Sequence, residues 1–174
     1  ERLVKAGTLP GWLTDTMLGG QEIALAWKSR GDDVASEVTE EGWEGFREHL
    51  ALARQRLEAA WKARPDQPYA AADMIKVVMG GDRAGGESAR LWFNRSTSAC
   101  FDYLHAYANY VLTLLPRWGG SHQELLDFGF ACMDCGHMET DTPLMLPRTI
   151  STVGYDLDAY DKVYDMPGVA GRLK

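Results

Sequence analysis

The 174-residue chain predicts an all-α fold in which antiparallel helical hairpins stack as a short solenoid. Apolar residues recur in steps of three and four over most of its length, the period of a helix that buries one face. No stretch alternates apolar and polar residues as a half-buried strand would. A small-large-small pattern also returns thirty-six residues on, and in weaker form thirty-six residues after that. Hydrophobic content of 45% and charged content of 25% are ordinary for a globular protein, and the length suits one well-buried core. The expected organisation is an irregular lead-in over 1–19, broken by Gly7, Pro10, Gly11 and Gly19, followed by a single domain over 20–174.

The elements follow in order. A short helix is expected from Gln21 to Arg30, with Ile23, Ala26 and Trp27 on one face and Gly31 at its end. Thr39-Glu40-Glu41 supplies a capping hydroxyl and two first-turn acids for the next helix. Its stripe of Trp43, Phe46, Leu50, Ala53, Leu57 and Ala60 is the cleanest in the chain. Pro65-Asp66-Gln67-Pro68 ends that helix and starts another, with Asp66 as its expected cap and Ala71, Met74, Ile75 and Val78 as its core face. Gly80, Gly81, Gly85 and Gly86 mark a loop. A helix resumes near Glu87 with Ala89, Trp92, Phe93 and Ser96 on one side.

Leu104, Tyr107, Ala108, Val111, Leu114 and Leu115 form the next stripe, stopped by Pro116. After the corner Pro116-Arg117-Trp118-Gly119-Gly120, Ser121-His122-Gln123-Glu124 matches the capping box. Leu125, Phe128, Gly129 and Cys132 face inward from the helix that follows, and Gly136 closes it. A Pro-bounded piece over 144–153 and a last helix over 156–164, with Leu157, Tyr160 and Tyr164 aligned, complete the set.

The thirty-six-residue interval links Ala53, Leu57 and Ala60 to Ala89, Phe93 and Ser96, and these to Leu125, Gly129 and Cys132. Small residues at such positions let neighbouring helices approach, and the bulky one fills the gap between them. The interval sits slightly above the thirty-four residues of the tetratricopeptide repeat. The segments Ala26-Trp27-Lys28-Ser29-Arg30-Gly31, Val38-Thr39-Glu40-Glu41-Gly42-Trp43 and Leu115-Pro116-Arg117-Trp118-Gly119-Gly120-Ser121 carry a resemblance. Over about residues 20–135 the chain resembles a family of bacterial tetratricopeptide-like proteins whose function is unknown. The resemblance implies an all-helical fold and a bacterial source, and it brings no catalytic residues. Ser96 and Phe101 stand where that family usually shows Ala and Pro.

A net charge of -7 argues against nucleic acid, whose phosphates require clustered Lys and Arg. Residues 121–174 hold nine acids against four Lys or Arg, an end suited to a basic protein or to plain solvation. The odd set Cys100, Cys132 and Cys135 forms no disulfide framework and points to a reducing cytoplasm. No run of about twenty apolar residues argues for a membrane.

Cys132, Cys135 and His137 have the types and spacing of zinc ligands but lack an adjacent fourth, so a small buried residue and an ordinary thiol are the favoured reading. The loop from Gly80 to Gly86 lacks the Lys-Ser or Lys-Thr ending and the preceding strand of a phosphate cradle. Arg117 and Trp118 suit either an exposed cation–aromatic pair or, the preferred role, a wedge with Arg117 paired to a neighbouring carboxylate. In the repeat register Tyr69 matches His105, and Asp73 matches Asn109, with Lys76 one turn further. These five residues, with Arg117 and Trp118, are the candidate partner-binding set. The expected function is a non-catalytic cytoplasmic module that binds a protein or peptide and needs no cofactor. The alternatives are an immunity protein that neutralises a basic toxin, and a zinc-dependent or small-molecule-binding enzyme centred on Cys132 to His137.

Overall fold

A computed structural model describes residues 9–31, 34–81 and 86–172, whose regular elements are all helices, with no strand among the described residues. The chain divides into two compact units, Glu1–Asn109 and Tyr110–Lys174.

In the first unit, α1 runs over Gly11–Arg30 and α2 over Glu40–Ala63. The later half of the expected lead-in, from Gly11 on, is therefore helix, with Pro10 before its first turn and Gly19 and Gly20 in mid-helix. Packing overrides the low helix propensity of glycine here. A Cβ on Gly19 would sit 2.6 Å from Cγ of Leu57, so only glycine lets the two helices approach this closely. Asp15 pairs with Arg56 at 2.9 Å, Glu22 with His49 at 2.6 Å, and the Trp27 ring meets Phe46 edge-on at 5.0 Å. Partner numbers fall on α2 as they rise on α1, so the hairpin is antiparallel. Gly31 ends α1 at φ 75°, a left-handed value that glycine adopts without steric cost.

Helix α2 begins as its sequence predicts, with the Thr39 hydroxyl accepting from the Gly42 N–H at 3.1 Å. Phe46, Leu50, Ala53, Leu57 and Ala60 are buried along it. Helix α3 spans Tyr69–Met79 with Pro68 before it. Asp66 does not cap α3, because it lies two residues too early. Its carboxylate instead accepts from Arg64 and Gln67, and the Arg64 hydrogen bond holds it well below the usual carboxylate range. Ala70, Ala71, Ala72, Met74, Ile75, Val77 and Val78 are all buried, which makes α3 the core helix of this unit. The glycine loop falls partly on residues 82–85, outside the described residues.

Helix α4, Ala89–Ala99, is capped by Ser88, whose hydroxyl accepts from the Leu91 N–H at 3.1 Å. Ser96 is fully buried and donates to the Pro68 carbonyl at 2.9 Å, so a hydroxyl at this repeat position is satisfied and ties α4 to the start of α3. Glu87, just before α4, accepts from Arg54 of α2 at 3.0 Å, from Arg95 at 2.9 Å and from the Trp92 indole at 3.1 Å. The Arg95 guanidinium also lies 4.2 Å from the centres of both the Trp61 and Trp92 rings. Helix α5, Leu104–Thr113, carries the division between the units.

In the second unit, Leu115 is buried, and a short 3-10 turn at Pro116–Trp118 leads through Gly119, at φ 91°, to α6, His122–Met133. The capping box forms in altered shape. The Ser121 hydroxyl accepts from the Glu124 N–H at 3.1 Å and donates to the Glu124 carboxylate at 2.9 Å, so the carboxylate meets the hydroxyl rather than the backbone. A 3-10 turn at Thr142–Leu144 opens α7, Met145–Leu157. Gly129 of α6 faces Thr149 and Leu146 of α7, while His122 meets Asp156 at 2.7 Å, so these helices are antiparallel too.

The last expected helix, over 156–164, is interrupted. Asp158 is left-handed at φ 50° and closes α7, α8 starts at Tyr160 and ends at Asp165, and α9 covers Val169–Arg172. Val163 and Val169 point inward, whereas Tyr160 and Tyr164 are 57% and 51% exposed. The expected alignment of Leu157, Tyr160 and Tyr164 on one continuous helix is broken at Asp158, and all three are exposed.

Two outcomes follow from this packing. A Cβ on Gly129 would run into the Thr149 hydroxyl, with the Leu146 backbone close behind it. Gly129→Ala should therefore destabilise the second unit by about 1–3 kcal/mol, seen as a lower Tm in calorimetry. For Glu87, burial pushes its carboxyl up, but the hydrogen bonds from Arg95, Arg54 and Trp92 together hold it below its ordinary value. A depressed folded-state value means the stabilisation is present above the unfolded-state pKa and is lost as pH falls through the folded-state one. Glu87→Gln should lower the urea midpoint at neutral pH and narrow its gap to wild type on acidification; an equal gap at both pH values would count against this link.

Candidate functional site

Three of the described helices of the first unit, α1, α3 and α5, bring aromatic and polar side chains onto one face. Trp12 lies in the first turn of α1, Tyr69 opens α3, Asp73 follows one turn later, and Tyr103 and His105 sit at the start of α5. The Trp12 and Tyr69 rings are stacked with centres 6.3 Å apart, Tyr69 meets Tyr103 edge-on at 5.3 Å, and Tyr103 meets the His105 ring at 5.9 Å. The row ends where His105 Nε2 lies 2.9 Å from Asp73 Oδ1. Tyr69 is 39% exposed, the His105 side chain 44%, and Trp12, Asp73 and Tyr103 are half-buried.

The protonation pattern follows from the neighbours. A carboxylate only accepts, so the His105 proton belongs on Nε2. The Asn109 amide nitrogen lies 3.2 Å from that same Nε2 and donates to the Ala72 carbonyl at 2.9 Å. Burial, then the charge of Asp73 and the neighbouring Tyr69, pushes the Tyr103 hydroxyl up, so it remains a neutral phenol at ordinary pH. Arg64 stacks over Trp12 at 5.4 Å and has its charge matched by Asp66.

Of the set expected from the repeat register, Tyr69, Asp73 and His105 come together on this face. Asn109 does not belong with them as a partner contact. It is only 3% exposed, and its amide pins α5 to a buried carbonyl of α3, because its position on α5 points across to α3 rather than to solvent. Lys76 follows one turn beyond Asp73 and is half-buried. Arg117 and Trp118 lie in the second unit. The Arg117 guanidinium donates to Asp156 at 2.6 Å, the neighbouring carboxylate that a wedge role requires, and Trp118 is half-buried.

Trp12 and Tyr103 are the site residues that sequence reasoning missed. Trp12 fell in a segment read as irregular, and Tyr103 in a connection. The i, i+4 step from Tyr69 to Asp73 was visible, but the signal for Trp12 lay only in extending the α1 period backwards through two glycines.

The zinc candidates part company. Cys132 is buried on the inner face of α6, Cys135 lies beyond the end of that helix, and exposed His137 pairs with Glu139 at 2.9 Å. That hydrogen bond draws the Glu139 carboxyl below its usual value. Among the described residues no three His, Cys, Asp or Glu converge as metal ligands. Burial and the Asp102 carboxylate push the Cys100 thiol up, opposite to what a nucleophilic cysteine needs. An open pocket of about 480 Å³ is lined by Trp43, Phe46, Leu50, Ala51, Arg47, Gly80 and Gly81. No helix among the described residues is long and apolar enough to cross a membrane.

Compared with known proteins, the chain matches no family model, no curated protein and no solved structure.

Asn109→Ala removes the donor of a buried carbonyl and should cost about 1–3 kcal/mol in urea unfolding. A midpoint unchanged from wild type would restore Asn109 to the surface set.

Proposed function

We propose that the chain is a non-catalytic helical-repeat module that binds a protein or peptide on the face of Trp12, Tyr69, Asp73, Tyr103 and His105. The observation that carries this reading is a continuous row of three aromatic rings and an imidazole that ends on a carboxylate and stays partly open to solvent. Aromatic side chains that keep one side accessible supply contact area at low entropic cost, which is why they anchor interfaces. Tyr69 and His105 also hold equivalent places in the thirty-six-residue register, as the first helices of successive hairpins would in a tetratricopeptide-like stack. Of the nine positions that the interval aligns, all but the half-buried Ala89 are buried, which supports that arrangement. The resemblance of residues 20–135 to bacterial tetratricopeptide-like proteins, if it reflects kinship, would fit the same reading.

A second reading, an immunity protein that neutralises a basic toxin, is favoured by the end of the second unit. There Tyr155, Tyr160 and Tyr164 are 80%, 57% and 51% exposed among the exposed carboxylates of Asp158, Asp161 and Asp165. Such a partner would use that surface and be sensitive to salt.

Replacing Tyr69 and His105 together with Ala should abolish capture of the partner from a lysate of the source cells, with circular dichroism and Tm close to wild type. Capture that survives this double substitution but is lost on replacing Tyr155, Tyr160 and Tyr164 with Ser would move the binding surface to the second unit.

A further inference from the structure

The proposed binding face has a polarity that specifies what its ligand must carry, an inference that rests on the peptide-binding reading above. Only one oxygen of Asp73 is taken by His105. The other, Oδ2, lies toward Gly20 of α1, where an added Cβ would come to 3.5 Å, an ordinary contact distance, and the Asp73 side chain remains 21% exposed. Burial and this carboxylate oppose ionisation of Tyr103, so the phenol adds no charge of its own and offers a ring face instead. Tyr69, at the other side of the same turn of α3, presents a second ring.

A partly buried carboxylate with a free oxygen, beside two tyrosine rings, favours a cation, through the charge and through the negative faces of the rings. Neighbouring charges do not cancel it. Arg64 is matched by Asp66, and His105 engages only one of the two Asp73 oxygens. Lys76, one turn further along α3, repels a basic group and so directs it to the Tyr69 end. The same chemistry recurs within the chain, where Arg64 stacks on Trp12 and Arg95 lies between Trp61 and Trp92 while bound to Glu87.

We infer that this face takes a basic side chain, arginine or lysine, from its peptide or protein partner, laid across the exposed outer side of the touching Tyr69 and Tyr103 rings and drawn by the Asp73 carboxylate. The ligand is a segment of another polypeptide, since rings continue from this point to Trp12 and extend the contact beyond one side chain.

The test uses the full chain, ¹H–¹⁵N NMR, and the tripeptides acetyl-Gly-Arg-Gly-amide and acetyl-Gly-Lys-Gly-amide. Their twins carry neutral citrulline or acidic glutamate at the centre. The basic peptides should shift the amides of Trp12, Tyr69, Asp73, Tyr103 and His105 at millimolar concentration, at least about tenfold more tightly than the citrulline twin, about 1.4 kcal/mol. Asp73→Asn, which keeps an acceptor for His105, should remove that difference with the spectrum otherwise folded. Citrulline or glutamate peptides that bind the face as tightly as the basic ones would overturn the inference and leave peptide binding standing. Basic peptides that shift only other residues, or none, would overturn it as well, while loss of the natural partner in the Tyr69 and His105 double variant decides the binding reading separately.

Discussion

Close approach between helices is the constraint on which the rest of this protein depends. At Gly19 against Leu57, Gly80 against Leu50, Gly129 against Thr149 and Gly154 against Tyr160, a single added carbon would occupy space already filled by a neighbouring side chain. Each glycine weakens its own helix locally, and interhelical dispersion and burial outweigh that loss only because the partner side chain fills the groove it leaves. Alanines at Ala26, Ala53 and Ala60, all buried, extend the same device with a smaller step.

Polar pins then select the register of the packed helices. Ser96 on the Pro68 carbonyl, Asn109 on the Ala72 carbonyl, and Glu87 between Arg54, Arg95 and Trp92 are each satisfied in one arrangement only. A slipped register would leave buried donors and acceptors unpaired, which costs more than the pins add when made. In the second unit, Asp156 serves both Arg117 and His122, so one carboxylate ties the Pro116–Trp118 turn and the start of α6 to α7. Apolar stripes supply most of the burial and polar contacts supply most of the uniqueness.

The same pins explain why the candidate site has its composition. Asn109 is drawn into the helix interface, and this places His105, one turn earlier on α5, beside Asp73. The rings of Trp12, Tyr69 and Tyr103 lean on one another rather than on the core, so they remain ordered and partly open.

By itself the sequence determined that the chain is helical, where α2, α3, α4 and α6 lie, and that Thr39 and Ser121 cap their helices, because period and capping are local properties of a few consecutive residues. It also made Tyr69, Asp73 and His105 legible as related positions, since a regular interval carries them to equivalent turns. Only the tertiary structure decided that Gly11–Gly20 is helix, because the Leu57 contact that offsets the glycines comes from a residue nearly forty positions away. It also buried Asn109, separated Cys132 from His137, turned Tyr160 and Tyr164 outward past the break at Asp158, and added Trp12 and Tyr103 to the site. Each of these depends on which element lies opposite, and that depends on the sum of many weak contacts between distant residues rather than on any local pattern.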